Sequence, residues 1–223
     1  MASLLAAVLP LALGAAVSPT LLALQLLVLT GSTRRMARAW ALAAGAALVL
    51  AGFMVLCATV LARLVTHHGR TSTTGAVVAL GAAALLIGLA ARTLLHRPEP
   101  GATQRSALGD RLATAPTGWF VGAGALGMAT NLSTLVLVLP AMHEITRSDA
   151  GTGAQVAAAV LLYVVTLLPV LVPVVGVVLL GARADGVLAS AHGWVTRNSR
   201  RIAAGVELAF AAYLTVKGVR QLP

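Results

Sequence analysis

Six apolar stretches fill nearly all of this 223-residue chain, and almost every basic residue lies between them. The hydrocarbon core of a bilayer is about 30 Å thick, and a helix needs roughly 20 apolar residues to cross it. No water reaches the backbone there, so a spanning segment satisfies its own N–H and C=O groups as a helix. Spans are expected at residues 4–29, 37–64, 74–95, 119–142, 155–180 and 202–219. The fold class is an all-α polytopic membrane protein. The spans leave no room for a separate soluble domain, so one membrane domain is expected.

Two of the spans carry matching interruptions: Ser18-Pro19 in the first and Asn131-Leu132-Ser133 in the fourth. A helix broken at bilayer depth exposes backbone polar groups, and such breaks line cavities rather than face lipid. Sliding the first span onto the fourth pairs Leu13-Gly14 with Leu126-Gly127, Ala16 with Ala129, Ser18 with Asn131 and Leu22 with Leu135. The identity is weak, but the polar break falls at the same place. Residues 1–95 and 117–223 therefore read as two inverted three-helix repeats. The stretch 96–116, with Pro98, Pro100, Gly101 and Gly109, reads as a linker between them.

The net charge is +10, which in a soluble protein points to nucleic acid. Here the basic residues sit at span ends, so no nucleic-acid partner is expected. Arg34, Arg35, Arg38, Arg92, Arg97, Arg105, Arg111, Arg183, Arg197, Arg200 and Arg201 flank the odd-numbered connections. Only Arg63, Arg70, Arg147, Lys217 and Arg220 lie on the other side. The positive-inside rule places the odd connections in the cytoplasm and both termini outside a cell (plasma) membrane. Trp40, Trp119 and Trp194 approach spans two, four and six from the basic side, as interfacial anchors do. Val187, Leu188, Ala191, Trp194 and Val195 fall at helical spacing, which admits either a short amphipathic helix on the leaflet or a simple polar loop.

Pro19 has no N–H, so the carbonyl of Ala15 loses its helical partner. Ser18, Thr20 and Gln25 supply polar groups beside this break, and Thr130, Asn131, Ser133 and Thr134 beside the other. Thr166 adds a hydroxyl from span five. Ser18, Pro19, Thr20, Gln25, Asn131, Ser133, Thr134 and Thr166 are thus the expected substrate-binding set. The bland alternative for each break is a kink capped by a neighbouring hydroxyl. Glu207 lies inside span six, flanked by Ala203, Ala204, Gly205, Ala211 and Ala212. A carboxylate at that depth is costly unless paired, protonated or hydrated, so Glu207 reads either as a proton-coupling group or as a hydrogen bond to a neighbouring helix. Pro169 and Pro173 in span five imply a kinked or unwound stretch, read either as a hinge or as plain kinking without gating.

Several activities lack their residues. Cys57 is the single cysteine, which leaves no intrachain disulfide and no dithiol carrier. His67, His68, His96, His143 and His192 have no ligand spacing, and one intramembrane Glu is poor provision for a divalent cation, so no metal is expected. No hydrolase triad or phosphate-binding glycine loop is legible, so neither an enzyme nor a cofactor is expected.

The stretches L-A-L-G-A-A-V-S-P at Leu11–Pro19, T-L-L-P-V-L-V-P at Thr166–Pro173 and W-V-T-R-N-S-R-R-I at Trp194–Ile202, with Lys217-Gly218 beyond, give the chain a family resemblance. It resembles the glycolipid or peptidoglycolipid addressing (GAP) family of the lysine-exporter (LysE) superfamily. The resemblance implies a six-helix inverted-repeat exporter of cell-envelope lipid with both termini outside. Superfamily members often carry Asn-Pro-Lys in span four. Here only Asn131 matches, so the resemblance carries neither a cationic group nor a hard helix break at that point. Three functions follow as alternatives: an exporter of envelope lipid or glycolipid, an exporter of a small polar solute such as an amino acid, or a membrane scaffold of a lipid-export machine. Membrane lipids are the expected surroundings, and the Gly and Ala content suits a homodimer.

Overall fold

The computed structural model describes residues 2–31, 34–68, 72–95 and 115–220. Among the described residues there is no strand. The helices are α1 (Ala2–Ala16), α2 (Pro19–Leu29), α3 (Arg35–His68), α4 (Ser72–Leu95), α5 (Thr117–Ala129), α6 (Leu132–Arg147), α7 (Thr152–Leu180) and α8 (Ala184–Val219). Helices α3, α4, α7 and α8 are each long and apolar enough to cross a membrane. The pair α1 and α2 is bent by 53°, and the pair α5 and α6 by 66°, giving up to six crossings if each bent pair is one span. The expected linker 96–116 lies outside the described residues except for Ala115 and Pro116.

The two bends have different causes. Ser18 precedes a proline, which pushes it out of the helical region, and it sits at φ −118°, ψ 89°. Pro19 then opens α2, where a missing N–H costs nothing. No proline acts in the second bend. Thr130 turns its hydroxyl back to the Leu126 carbonyl at 2.8 Å, and Asn131 leaves the helix at φ −81°, ψ 69°. The resemblance gave no hard break here, yet this bend is the sharper of the two.

Close packing comes from small residues. A Cβ added to Gly45 would lie 1.9 Å from the Val121 carbonyl oxygen, and one added to Gly124 would lie 2.0 Å from that of Leu42. Helices α3 and α5 therefore touch backbone to backbone, the arrangement that gives van der Waals association in a medium with no hydrophobic driving force between helices. Helix α4 packs as extensively along α8. Large apolar side chains such as Leu48, Val77, Leu85, Val160 and Val178 are turned outward instead, as a lipid-facing surface requires.

Two expectations change. Residues 184–197 form neither a separate surface helix nor a loop. They are the first turns of α8, a single 36-residue helix. Gly181, at φ +55°, makes the turn from α7 into it, a backbone conformation suited to glycine. Nor does the chain unwind at Pro169 and Pro173, because α7 runs unbroken through both.

Candidate functional site

The two bends meet. The Asn131 side-chain amide donates to Ser18 Oγ at 2.7 Å, so the two positions matched by sequence are in direct contact. Ser18 Oγ also accepts from the Leu21 N–H at 3.4 Å, capping α2. The Thr134 hydroxyl donates to the Ala15 carbonyl at 3.1 Å. That carbonyl is the one Pro19 leaves without a partner, so the second break satisfies the backbone opened by the first. Asn131 has a further contact: its Oδ1 accepts from the Ser133 hydroxyl at 3.3 Å. No side chain caps the first turn of α6.

Around this junction lies a cavity of about 440 Å³. Helix α2 contributes Pro19 and Thr20, α5 contributes Gly127, and Thr130, Asn131, Leu132 and Ser133 form its wall at the second bend. Leu89, Arg92 and Thr93 come from α4, and Ser199, Arg200, Ala203 and Glu207 from α8. Thr20, Thr130, Leu132 and Arg92 are exposed at its rim. Glu207 is only 5% exposed and faces inward. Its carboxylate accepts from the Thr93 hydroxyl at Oε2, at 3.4 Å, and shares the cavity wall with Ser133. Among the described residues it has no ion pair. Arg200 is instead engaged with α4, where Nε donates to the Thr93 carbonyl at 3.1 Å and Nη2 to that of Leu94 at 2.7 Å, closing the helix C-terminus.

Beyond the bends α1 packs closely on α6, and a pocket of about 350 Å³ lined by Ser3, Leu4, Ala7, Glu144 and Arg147 lies at the outer end of that contact. Gly14 of α1 sits on the ring of Phe210, so near that an added Cβ would be 2.5 Å from ring carbons. Ten residues past Glu207, Lys217 pairs with Glu144 of α6 at 3.1 Å, and both side chains are partly exposed.

Of the expected substrate-binding set, Pro19, Thr20, Asn131 and Ser133 line the cavity together with Glu207, and Ser18 braces it from behind. Three others lie elsewhere. Thr134 is buried in the α1 contact. Gln25 is fully buried and donates to the Ala39 carbonyl of α3 at 3.2 Å. Thr166 is buried on α7 and is not part of the lining. The sequence reading missed Arg92, Thr93, Ser199 and Arg200. One signal was available: Ser199, Ala203 and Glu207 are four apart, so they share one face of α8.

The family model described as Sap, sulfolipid-1-addressing protein, matches residues 8–220, nearly the whole chain, and the chain belongs to that family. No curated protein and no solved structure matches it.

Proposed function

From that membership as premise, we propose that the protein is an exporter of envelope lipid or glycolipid, working by alternating access through the cavity between its two bends. The family supports a lipid role in a membrane. The observation that carries the transport reading is the junction itself. Two broken spans meet around a polar-lined cavity that holds a buried carboxylate with no ion pair among the described residues. Irregular backbone is tolerated at that depth where it lines such a space. Transporters of this plan place their site at the interface of inverted repeats.

The packing pattern supports the repeat. Matching α1 to α5, α2 to α6, α3 to α7 and α4 to α8 turns most helix contacts into one another. The contact of α3 with α5 becomes α7 with α1, α2 with α8 becomes α6 with α4, and α2 with α3 becomes α6 with α7. The match is uneven: α3 packs on α5 more extensively than α1 on α7, and one pair differs most in kind. Helix α1 packs closely on α6, while its counterpart, α2 against α5, is sparse. An inverted-repeat carrier caught with one access path closed has this asymmetry, and exchanging the two packings yields the other state. On this reading Glu207 takes and releases a proton as the path switches, Pro169 and Pro173 give α7 its hinge, and the α2/α5 end faces the cytoplasm of a plasma membrane with both termini outside.

The test is a deletion strain complemented with wild type, Asn131→Ala or Glu207→Gln. Surface-extractable lipid is measured as a fraction of total lipid. Wild type restores the fraction, and both variants fail at equal protein level. An unchanged lipid distribution with rising internal amino acid favours export of a small polar solute, which the polar lining also suits. Full rescue by both variants favours the scaffold.

A further inference from the structure

Two bonds from α8 converge on one residue of α4. The Thr93 hydroxyl donates to Glu207 Oε2 at 3.4 Å, and the Thr93 carbonyl accepts from Arg200 Nε at 3.1 Å. Arg200 and Glu207 are seven residues apart, about two turns, so they project from the same face of α8. We propose that Thr93 is the positioning residue of Glu207. Its hydroxyl sets where the carboxyl group stands in the cavity, and Arg200 fixes Thr93 in turn. The proposal rests on the reading of Glu207 as the proton-carrying group above.

The choice of partner by Thr93 is what points to this role. A helical threonine can turn its hydroxyl back to a carbonyl of the preceding turn. Thr59, Thr146, Thr196 and Thr215 do so, to carbonyls three or four residues earlier. The Leu89 carbonyl, four residues back, offers Thr93 the same partner, and Thr93 instead reaches across to another helix. A buried carboxyl group needs such a donor. The cavity offers Glu207 no charged alternative already in place. Arg92 on α4 and Arg200 on its own helix are the other charged lining residues, and neither forms an ion pair with it among the described residues. Arg200 directs its guanidinium to the carbonyls of Thr93 and Leu94 instead. Helices α2, α5 and α6 bring no charged residue to the cavity. Those two carbonyls belong to the last turn of α4, where the helix itself supplies no donors. Arg200 therefore pins the backbone from which the Thr93 hydroxyl is aimed. A group that takes and releases a proton must stand within hydrogen-bond reach of its partner each time, and this arrangement returns it to one place.

The test is spectroscopic first. Purified protein in phosphatidylglycerol vesicles is acidified, and the infrared carbonyl stretch of Glu207 is isolated as the band that Glu207→Gln lacks. An accepted hydrogen bond lowers the frequency of that stretch. Thr93→Val and Thr93→Ala remove the donor, so the band is expected at higher wavenumber. Thr93→Ser keeps the hydroxyl and is expected to return the band toward its wild-type position. Arg200→Ala releases the last turn of α4, and the band is expected to broaden. In the export assay Thr93→Val is expected to lower export roughly tenfold, as loss of a hydrogen bond to a charged group does, and Thr93→Ser to recover most of it. A band unmoved in both Thr93→Val and Thr93→Ala overturns the proposal. A shifted band with full export overturns it too, and leaves the exporter standing. If the band shifts as expected but wild type itself moves no lipid, the exporter reading fails and the hold of Thr93 on the carboxyl group stands. No Glu207 band at any pH means that the group never takes a proton, which overturns both the proton role and the proposal built on it.

Discussion

On the proposed repeat the two ends of the bundle are built from matching helices, and they are packed differently. At one end α1 lies on α6, with the Ala15 carbonyl held by Thr134, Gly14 seated on Phe210 and Glu144 paired with Lys217. At the other end α2 and α5 touch only sparsely, Gly127 against Leu21, and the cavity beside that contact carries Thr20 and Thr130 at its rim. The sealed end is held by one charge pair, one hydroxyl–carbonyl bond and one close backbone contact. The open end has the Arg35–Asp185 pair and the Arg200 bonds to α4, but among the described residues no hydrogen bond or ion pair joins α2 to α5. Hydrogen bonds between membrane helices are worth only about 0.6 kcal/mol on average, and a partly exposed ion pair about 1 kcal/mol or less. A seal of that size can form and break within the proposed transport cycle. The α3–α5 contact is of another kind, because its glycines leave no room for adjustment.

The largest expected effect strikes that scaffold. Gly124→Val puts a side chain where the Leu42 carbonyl already stands, and overpacking of this sort costs about 3 kcal/mol or more once backbone must move. Loss of folded protein in detergent, followed by thermal unfolding, is the expected outcome. Stability equal to wild type would contradict the close approach of α3 and α5. Next comes Asn131→Leu, which removes the donor to Ser18 while keeping bulk. Export is expected to fall by roughly tenfold or more with protein level intact, a loss of about 1.4 kcal/mol at the site. Asn131→Ala and Ser18→Ala, singly and together, then form a double-mutant cycle whose coupling measures the contact itself.

A smaller effect sharpens the contrast between the ends. Lys217→Ala breaks the Glu144 pair, and a cysteine reporter introduced by Leu214→Cys in a Cys57→Ala background gains reactivity toward a water-soluble thiol reagent. A change of roughly threefold matches an interaction of about 0.6 kcal/mol. Exchanging the charges through Glu144→Lys with Lys217→Glu returns the reporter to its wild-type rate. Smallest is Thr134→Val, which leaves the Ala15 carbonyl without its donor. It is expected to cost about 0.6 kcal/mol of thermal stability and to raise access at the sealed end slightly.

Much of this was legible in the chain. Apolar run length pointed to the helices, and the shared offset of Ser18 and Asn131 pointed to two positions that turn out to touch. Glu207 was legible because a carboxylate among Ala and Gly has no cheap reason to be in a span. What escaped has a common cause. Arg92 and Arg200 looked like topology signals, and only the approach of α4 to α8 turns them toward the cavity. Thr166 and Gln25 looked like site residues, but the faces they occupy are fixed by which helices pack beside them. Gln25 turns to α3, and Thr166 is buried on α7 away from the cavity. The unbroken α8 was hidden by the polar run Arg197–Arg201, which interrupts the apolar pattern without interrupting the helix.

The most direct measurement is a cross-link. In a Cys57→Ala background, Ser18→Cys combined with Asn131→Cys brings two thiols to the place where the bends meet. Rapid disulfide formation under mild oxidation is the predicted result. Two thiols that each react with a membrane-permeant reagent yet never join would show that the bends lie apart, and the shared cavity would go with them.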